Sequence, residues 1–156
     1  YYSVMESVTA GGDNFRSGRI NPNFADKVTA VMINPFVTFK GLEFFGTYEL
    51  ASGGDFSDAD ETRDWTQLAG ELLYRFGGDD QFYAGGRYNV VSGKLLNADA
   101  AEVSVDRLQA GVGWFLNKNI LAKIEYMQQN YNDYPTTDVL CEGQFSGVVV
   151  ESVIAF

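Results

Sequence analysis

Histidine is absent from this chain of 156 residues. Without imidazole it holds no Ser-His triad, no Cys-His pair and no histidine metal site. A single cysteine, Cys141, excludes an internal disulfide and a Cys-x-x-Cys site. Basic residues are few. The 11 Lys and Arg stand against 21 Asp and Glu, and a net charge of −10 repels nucleic-acid phosphate. Proline occurs 3 times. No stretch reaches the ~18 apolar residues of a transmembrane helix, and none carries a helical period. The opening residues, Tyr1-Tyr2-Ser3-Val4-Met5, have neither a basic region nor a cleavage site. They are not a signal peptide and read as strand interior, so the chain is expected to begin partway through a larger protein. No catalytic residue, cofactor or metal site is expected.

What is abundant is equally telling. Aromatics make up 15% of the chain beside 17 glycines, and 46% of residues are apolar, enough for a folded protein. The hydrophobic period is two almost throughout. Between clusters of Gly, Asp, Asn and Pro, strands are expected near Tyr1–Thr9, Val28–Lys40, Leu42–Ala51, Trp65–Phe76, Phe82–Ser92, Val103–Leu116, Ile120–Tyr131 and Gln144–Phe156. Their connections alternate between short (Lys40-Gly41, 77–81, 117–119) and long (10–27, 52–64, 93–102, 132–143). The pattern Leu42-x-Phe44-x-Gly46-x-Tyr48 returns as Phe82-x-Ala84-x-Gly86-x-Tyr88 and Ile120-x-Ala122-x-Ile124-x-Tyr126, which makes the hairpin the repeating unit. Long strands with short turns at one end and long loops at the other are the layout of an antiparallel up-and-down transmembrane β-barrel. Mean hydropathy does not oppose it, because only alternate residues of such strands meet lipid.

From Leu42 onward the two faces are chemically distinct. Even positions are apolar or small, with Asp106 the one charge placed among them. Odd positions carry Glu43, Glu49, Glu71, Arg75, Arg87, Arg107, Lys123, Glu125 and Glu151, the expected pore lining. A one-residue slip would exchange the faces, so register is tightly specified. A soluble barrel around an apolar ligand would show the same alternation inverted. The bulk of the even face (Phe44, Tyr74, Phe76, Trp114) argues that it lies outside, as do the rings mixed into the odd face. An aromatic girdle is expected beside the short turns at Phe39, Phe76, Phe82 and Trp114, and a second at Tyr48, Tyr88 and Tyr126. A two-residue turn at Lys40-Gly41 sets Phe39 opposite Leu42. The 77–81 turn sets Phe76 opposite Phe82 and brings Glu71 opposite Arg87.

The final strand alternates up to a terminal phenylalanine, Phe156. It resembles the C-terminal signal that the assembly machinery of bacterial outer-membrane barrels reads. The segments 39–46, 82–89 and 113–123 resemble the C-terminal half of porin-type barrels of the phosphate-selective-porin-like group. That resemblance implies a barrel of about 16 strands in the bacterial outer membrane. It further implies a water-filled diffusion pore, contact with lipid and lipopolysaccharide, and a homotrimer or larger envelope complex. The cations Arg75, Arg87, Arg107 and Lys123 are interleaved with glutamates, so the chain departs from a basic, phosphate-selecting ladder.

Other features have plain alternatives. The lumen charges set ion selectivity or form a salt-bridge network that stiffens the wall. The run 55–61 is a solvated acidic loop or a Ca²⁺ site, without the spacing of an EF-hand. Cys141 pairs with a cysteine outside the chain or stays free. Pro35 demands a bulge or break in its strand. Arg16 and Arg19 belong to an external loop or an infolded one. A closed, non-pore barrel of eight strands, acting as a scaffold in an envelope complex, is the competing functional reading.

Overall fold

The computed structural model describes Pro22, Phe24 and residues 26–54, 62–95, 102–138 and 140–155. Alternation does produce strands. They are β1 (Asp26–Ile33), β2 (Phe36–Phe39), β3 (Leu42–Gly54), β4 (Thr62–Phe76), β5 (Phe82–Lys94), β6 (Glu102–Asn117), β7 (Ile120–Asn132) and β8 (Gln144–Ile154). They form one antiparallel up-and-down sheet in the order β1-β3-β4-β5-β6-β7-β8, with β2 also on β3. Among the described residues the only helical element is a 3₁₀ turn, Gly78–Asp80. The expected strand Tyr1–Thr9 lies outside the described residues.

The count of eight strands arises differently from the expectation. Val28–Lys40 is divided at Asn34-Pro35, where proline has no N–H for the ladder. Register continues across the break, with Ile33 opposite Tyr48 and Phe36 opposite Phe45. The Gly46 N–H donates to the Pro35 carbonyl at 2.9 Å and bridges the gap. Several strands also run further into the long connections than their polar ends suggest. Ser52 pairs with Asp64, Gly54 with Thr62 and Lys94 with Glu102. The exposed even face therefore gains Asp64, Lys94 and Glu102 beside Asp106, which corrects its description as carrying a single charge.

The tight connections fix the register as expected. Lys40 and Gly41 both adopt left-handed φ, 46° and 80°, as a two-residue hairpin of type I′ requires, and Phe39 lies opposite Leu42. Phe76 lies opposite Phe82 and Glu71 opposite Arg87. The β6–β7 turn is tighter than anticipated. Asn117 pairs with Ile120 after a register shift that leaves Leu116 as the extra residue.

The two faces differ in exposure as they do in chemistry. Leu72 and Val112 on the even face are 51% and 52% exposed, whereas the side chains of Arg87 and Glu125 on the odd face keep 27% and 22%. The apolar face is the open one and the charged face the sheltered one. On the open face the apolar residues form a band whose edge drifts across the register. Its long-loop limit is Leu50 on β3, Leu68 on β4, Val90 on β5, Leu108 on β6, Tyr126 on β7 and Val148 on β8. Leu50 pairs with Thr66, Val90 with Asp106 and Leu108 with Gln128, so the edge moves six residues over five strand-to-strand steps. The turn-side edge moves the same way, from Leu42 on β3 to Phe76 on β4 and Leu116 on β6.

The packed core lies on the sheltered face at the long-loop end. Trp65, Val103, Val105, Tyr131 and Tyr134 are buried there, with Phe24, Leu140 and Cys141 against them. Trp65 is held by its indole N–H, which donates to the Lys94 carbonyl at 3.1 Å. Its ring covers Gly93, where an added Cβ would clash with the indole. Gly93→Ala is therefore expected to destabilise the fold by about 1–3 kcal/mol, the usual cost of overpacking a filled site. Urea unfolding measures it, and Gly78→Ala, where no atom lies within 4 Å of the new methyl group, is the neutral control.

Candidate functional site

The site is the sheltered face of β3–β8, and the odd-numbered charges meet there in the order the register dictates. The Arg75 Nε donates to Glu43 Oε1 at 2.6 Å. Arg87 lies 3.6 Å from Glu71. Lys123 bridges Glu151 at 3.0 Å and Glu125 at 3.6 Å, and the Gln109 amide donates to Glu125 at 2.8 Å. One row towards the long loops, Arg107 donates to the Gln129 carbonyl oxygen at 2.8 Å, and the Gln129 amide donates to the Tyr131 hydroxyl at 2.6 Å. Gln67 donates to Asn89 at 2.8 Å. Glu49 lies on the same face, opposite Gln67. All nine expected lining residues thus share one face. Seven of them are joined by ion pairs, Arg107 is held in an amide chain, and the interleaving of signs has become cross-strand pairing.

These partners are only partly exposed, so each pair contributes modestly, about 0.2–1 kcal/mol for opposite charges across strands. Their larger effect is geometric. Each of the three cations is tied to a carboxylate on a neighbouring strand.

Between the charges the wall has a hollow. Gly85 and Gly111 face each other across β5 and β6, and without side chains they floor a groove of ≈ 400 Å³. Glu71, Arg87, Gln109, Lys123 and Glu125 line its sides. At its turn end stand Tyr83 and Phe115, with ring centroids 6.2 Å apart and planes inclined at 52°. The Arg75 guanidinium sits 5.8 Å from the centre of the Phe115 ring. Both rings are visible in the sequence as odd-face residues. What sequence reasoning missed is that the facing glycines leave space beside them.

Two further arrangements were also missed. The described residues between 133 and 143 fold onto the sheltered face. Tyr134, Leu140 and Cys141 pack on the Tyr131 cluster, while Tyr131 N–H donates to the Gly143 carbonyl at 2.9 Å and Gly143 N–H to Leu140 at 2.9 Å. Cys141 is a half-buried free thiol. On the open face, Asp106 is held by the amides of Asn130 and Asn132, both at 2.9 Å, at the upper margin of the apolar band. Among the described residues no group of carboxylates and thiols is gathered to hold a metal ion.

The expected girdle residues lie on the open face. Tyr74, Phe76, Phe82 and Trp114 stack in sequence along the turn end with centroids 6.0, 5.7 and 5.9 Å apart, and Phe39 is 66% exposed on β2. Tyr48, Tyr88 and Tyr126 follow the drift of the band, each two residues nearer the turn end than the last. Phe156, Arg16, Arg19 and the acidic run 55–61 lie outside the described residues. No protein-family model, curated protein or solved structure matches the chain.

The Glu71–Arg87 pair gives the most direct check on this face. In a double-mutant cycle with Glu71→Gln and Arg87→Gln, the coupling energy is expected to be about 0.2–1 kcal/mol at low salt and to shrink at 1 M salt, where the Debye length is about 3 Å. Chemical unfolding measures it.

Proposed function

We propose that this chain is part of the wall of a bacterial outer-membrane porin, a closed β-barrel that passes small hydrophilic solutes without chemistry. The drift of the apolar band carries the reading. Six residues over five strand steps, at about 3.3 Å per residue and 4.8 Å between strands, correspond to strands inclined by about 40° to the normal of the band. Spanning barrels tilt by about 35–45°. A level apolar belt on tilted strands must cut the register at that slope, and lipid is the solvent that demands a level belt. From Phe82 to Val90 the belt is about 20 Å high at this tilt, near the ~25 Å of outer-membrane barrels. The rings stacked along its lower margin suit the lipid interface.

The edges support closure by further strands. Phe36 on β2 is 60% exposed and Val150 on β8 is 77% exposed. A sheet edge with free backbone groups does not persist in hydrocarbon, so each edge is paired in the assembled protein. Strands beyond this chain, to a total of about 16, meet that need. The sheltered polar face then lines water, and Glu43, Glu49, Glu71, Arg75, Arg87, Arg107, Lys123, Glu125 and Glu151 are its lining. Lipopolysaccharide borders the long-loop margin, the assembly machinery reads the C-terminal strand, and a homotrimer or larger envelope complex is the expected assembly.

A second reading, a non-pore structural barrel, is favoured by the tight pairing of the sheltered charges and by the cluster around Tyr131. Planar-bilayer recording of the full-length protein separates the two. Discrete conductance steps are expected from a porin, and a folded barrel without steps indicates the scaffold. Arginine substitution tests the membrane placement. Leu72→Arg, in the middle of the belt, is expected to cost about 2–4 kcal/mol in folding into lipid, and Ser146→Arg, beyond its margin, about 0–1 kcal/mol. Equal costs in lipid would contradict the placement.

A further inference from the structure

We infer that the groove over Gly85 and Gly111 is a binding subsite for a neutral sugar. The inference rests on the reading of the sheltered face as a water-filled lumen, and it specifies the solute. Three observations carry it.

The first is space. The two glycines face each other in register and leave ≈ 400 Å³ between charged side walls, within the size range of small-ligand sites. Its wall side chains are held by one another and by Glu151: Arg87 with Glu71, Lys123 with Glu125 and Glu151, and Gln109 with Glu125.

The second is the character of those charges. A free ion gains little in this groove. An anion drawn to Arg87 or Lys123 meets Glu71, Glu125 or Glu151 within 3.6 Å of the same cation, and a cation drawn to a glutamate meets the reverse. A hydroxyl group faces no such penalty. It donates to the carboxylate and accepts from the guanidinium or ammonium of the same pair, because it has both a donor and lone pairs. Paired charges around a hollow therefore favour a molecule bearing many hydroxyls and no charge.

The third is the pair of rings. The Tyr83 ring covers Gly113, where an added Cβ would come within 2.7 Å of its hydroxyl oxygen. Phe115 stands at 52° to it. Rings fixed beside hydrogen-bonding groups offer an apolar surface to the C–H face of a pyranose and leave its hydroxyls to the ion pairs. Aromatic bodies with a polar rim suit such an amphipathic solute.

The test uses the full-length protein folded in micelles, titrated with methyl glucoside and, separately, with inorganic phosphate. Saturable binding of the glucoside at millimolar concentration is expected, with phosphate producing no saturable response. Tyr83→Leu with Phe115→Leu is expected to weaken glucoside binding at least tenfold. Glu125→Gln, which keeps an acceptor oxygen in the groove wall, is expected to weaken it less. Each variant is first shown to be folded by its resistance to unfolding in detergent. Absence of saturable glucoside binding to the folded protein overturns the inference, as does tighter binding of phosphate or an unchanged affinity in the double-ring variant. Bilayer conductance is read separately. A conducting protein that binds no glucoside refutes the subsite and leaves the pore standing, whereas a folded, non-conducting protein refutes the pore whatever the titration shows.

Discussion

The structure depends on the two-residue period of the antiparallel ladder. Each strand turns successive side chains to opposite faces, so a single register decision sorts every residue of the chain. Glu71 meets Arg87, Phe76 meets Phe82 and Lys123 meets Glu151 by the same rule. A slip of one residue at any hairpin would drive glutamates and arginines onto the apolar face. The left-handed pair Lys40-Gly41 and the tight β6–β7 turn are the local devices that prevent it. Everything else about the two faces follows from keeping this register over seven strand pairings.

The sequence speaks clearly about what repeats and poorly about what crosses from one strand to another. Strand positions, facing and the Phe76–Phe82 and Glu71–Arg87 pairings are legible because alternation and turn length determine them locally. The break at Asn34-Pro35 is legible because proline removes a donor. Strand ends are not. Ser52, Gly53 and Gly54 look like a loop, yet they continue in the ladder because Thr62–Asp64 lie opposite them. The groove is hidden for a related reason. Gly85 and Gly111 are 26 positions apart and become one hollow only when the register sets them face to face. Trp65 over Gly93 is hidden in the same way, since a close approach between strands leaves no periodic trace.

The sheltered face is zoned from one end to the other. Rings stand at the turn end, ion pairs around a glycine hollow come next, then an amide row through Gln67, Asn89 and Gln129, and finally the apolar cluster of Trp65, Val105 and Tyr131. The charges are joined to one another, so the face offers hydrogen bonds more than a field. The net charge of −10 therefore describes the wall poorly, for on it the cations and carboxylates are interleaved and largely paired. The absence of histidine fits a face where no proton needs to move near neutral pH.

The central claim is that a level lipid belt crosses a tilted sheet. Phe44, Leu72, Ala110 and Val148 lie on one register row, linked through Gly86 and Tyr126, but at different distances from the margins of the apolar band. Nitroxide labels at these four positions, in a Cys141→Ser background with the protein reconstituted in bilayers, report depth through the ratio of oxygen to nickel-chelate collision rates. Leu72 should lie nearest the bilayer centre and Val148 shallowest, with Phe44 and Ala110 at intermediate depths on opposite sides of the centre. Equal depths at all four positions, or no preference for oxygen at any, would contradict the account.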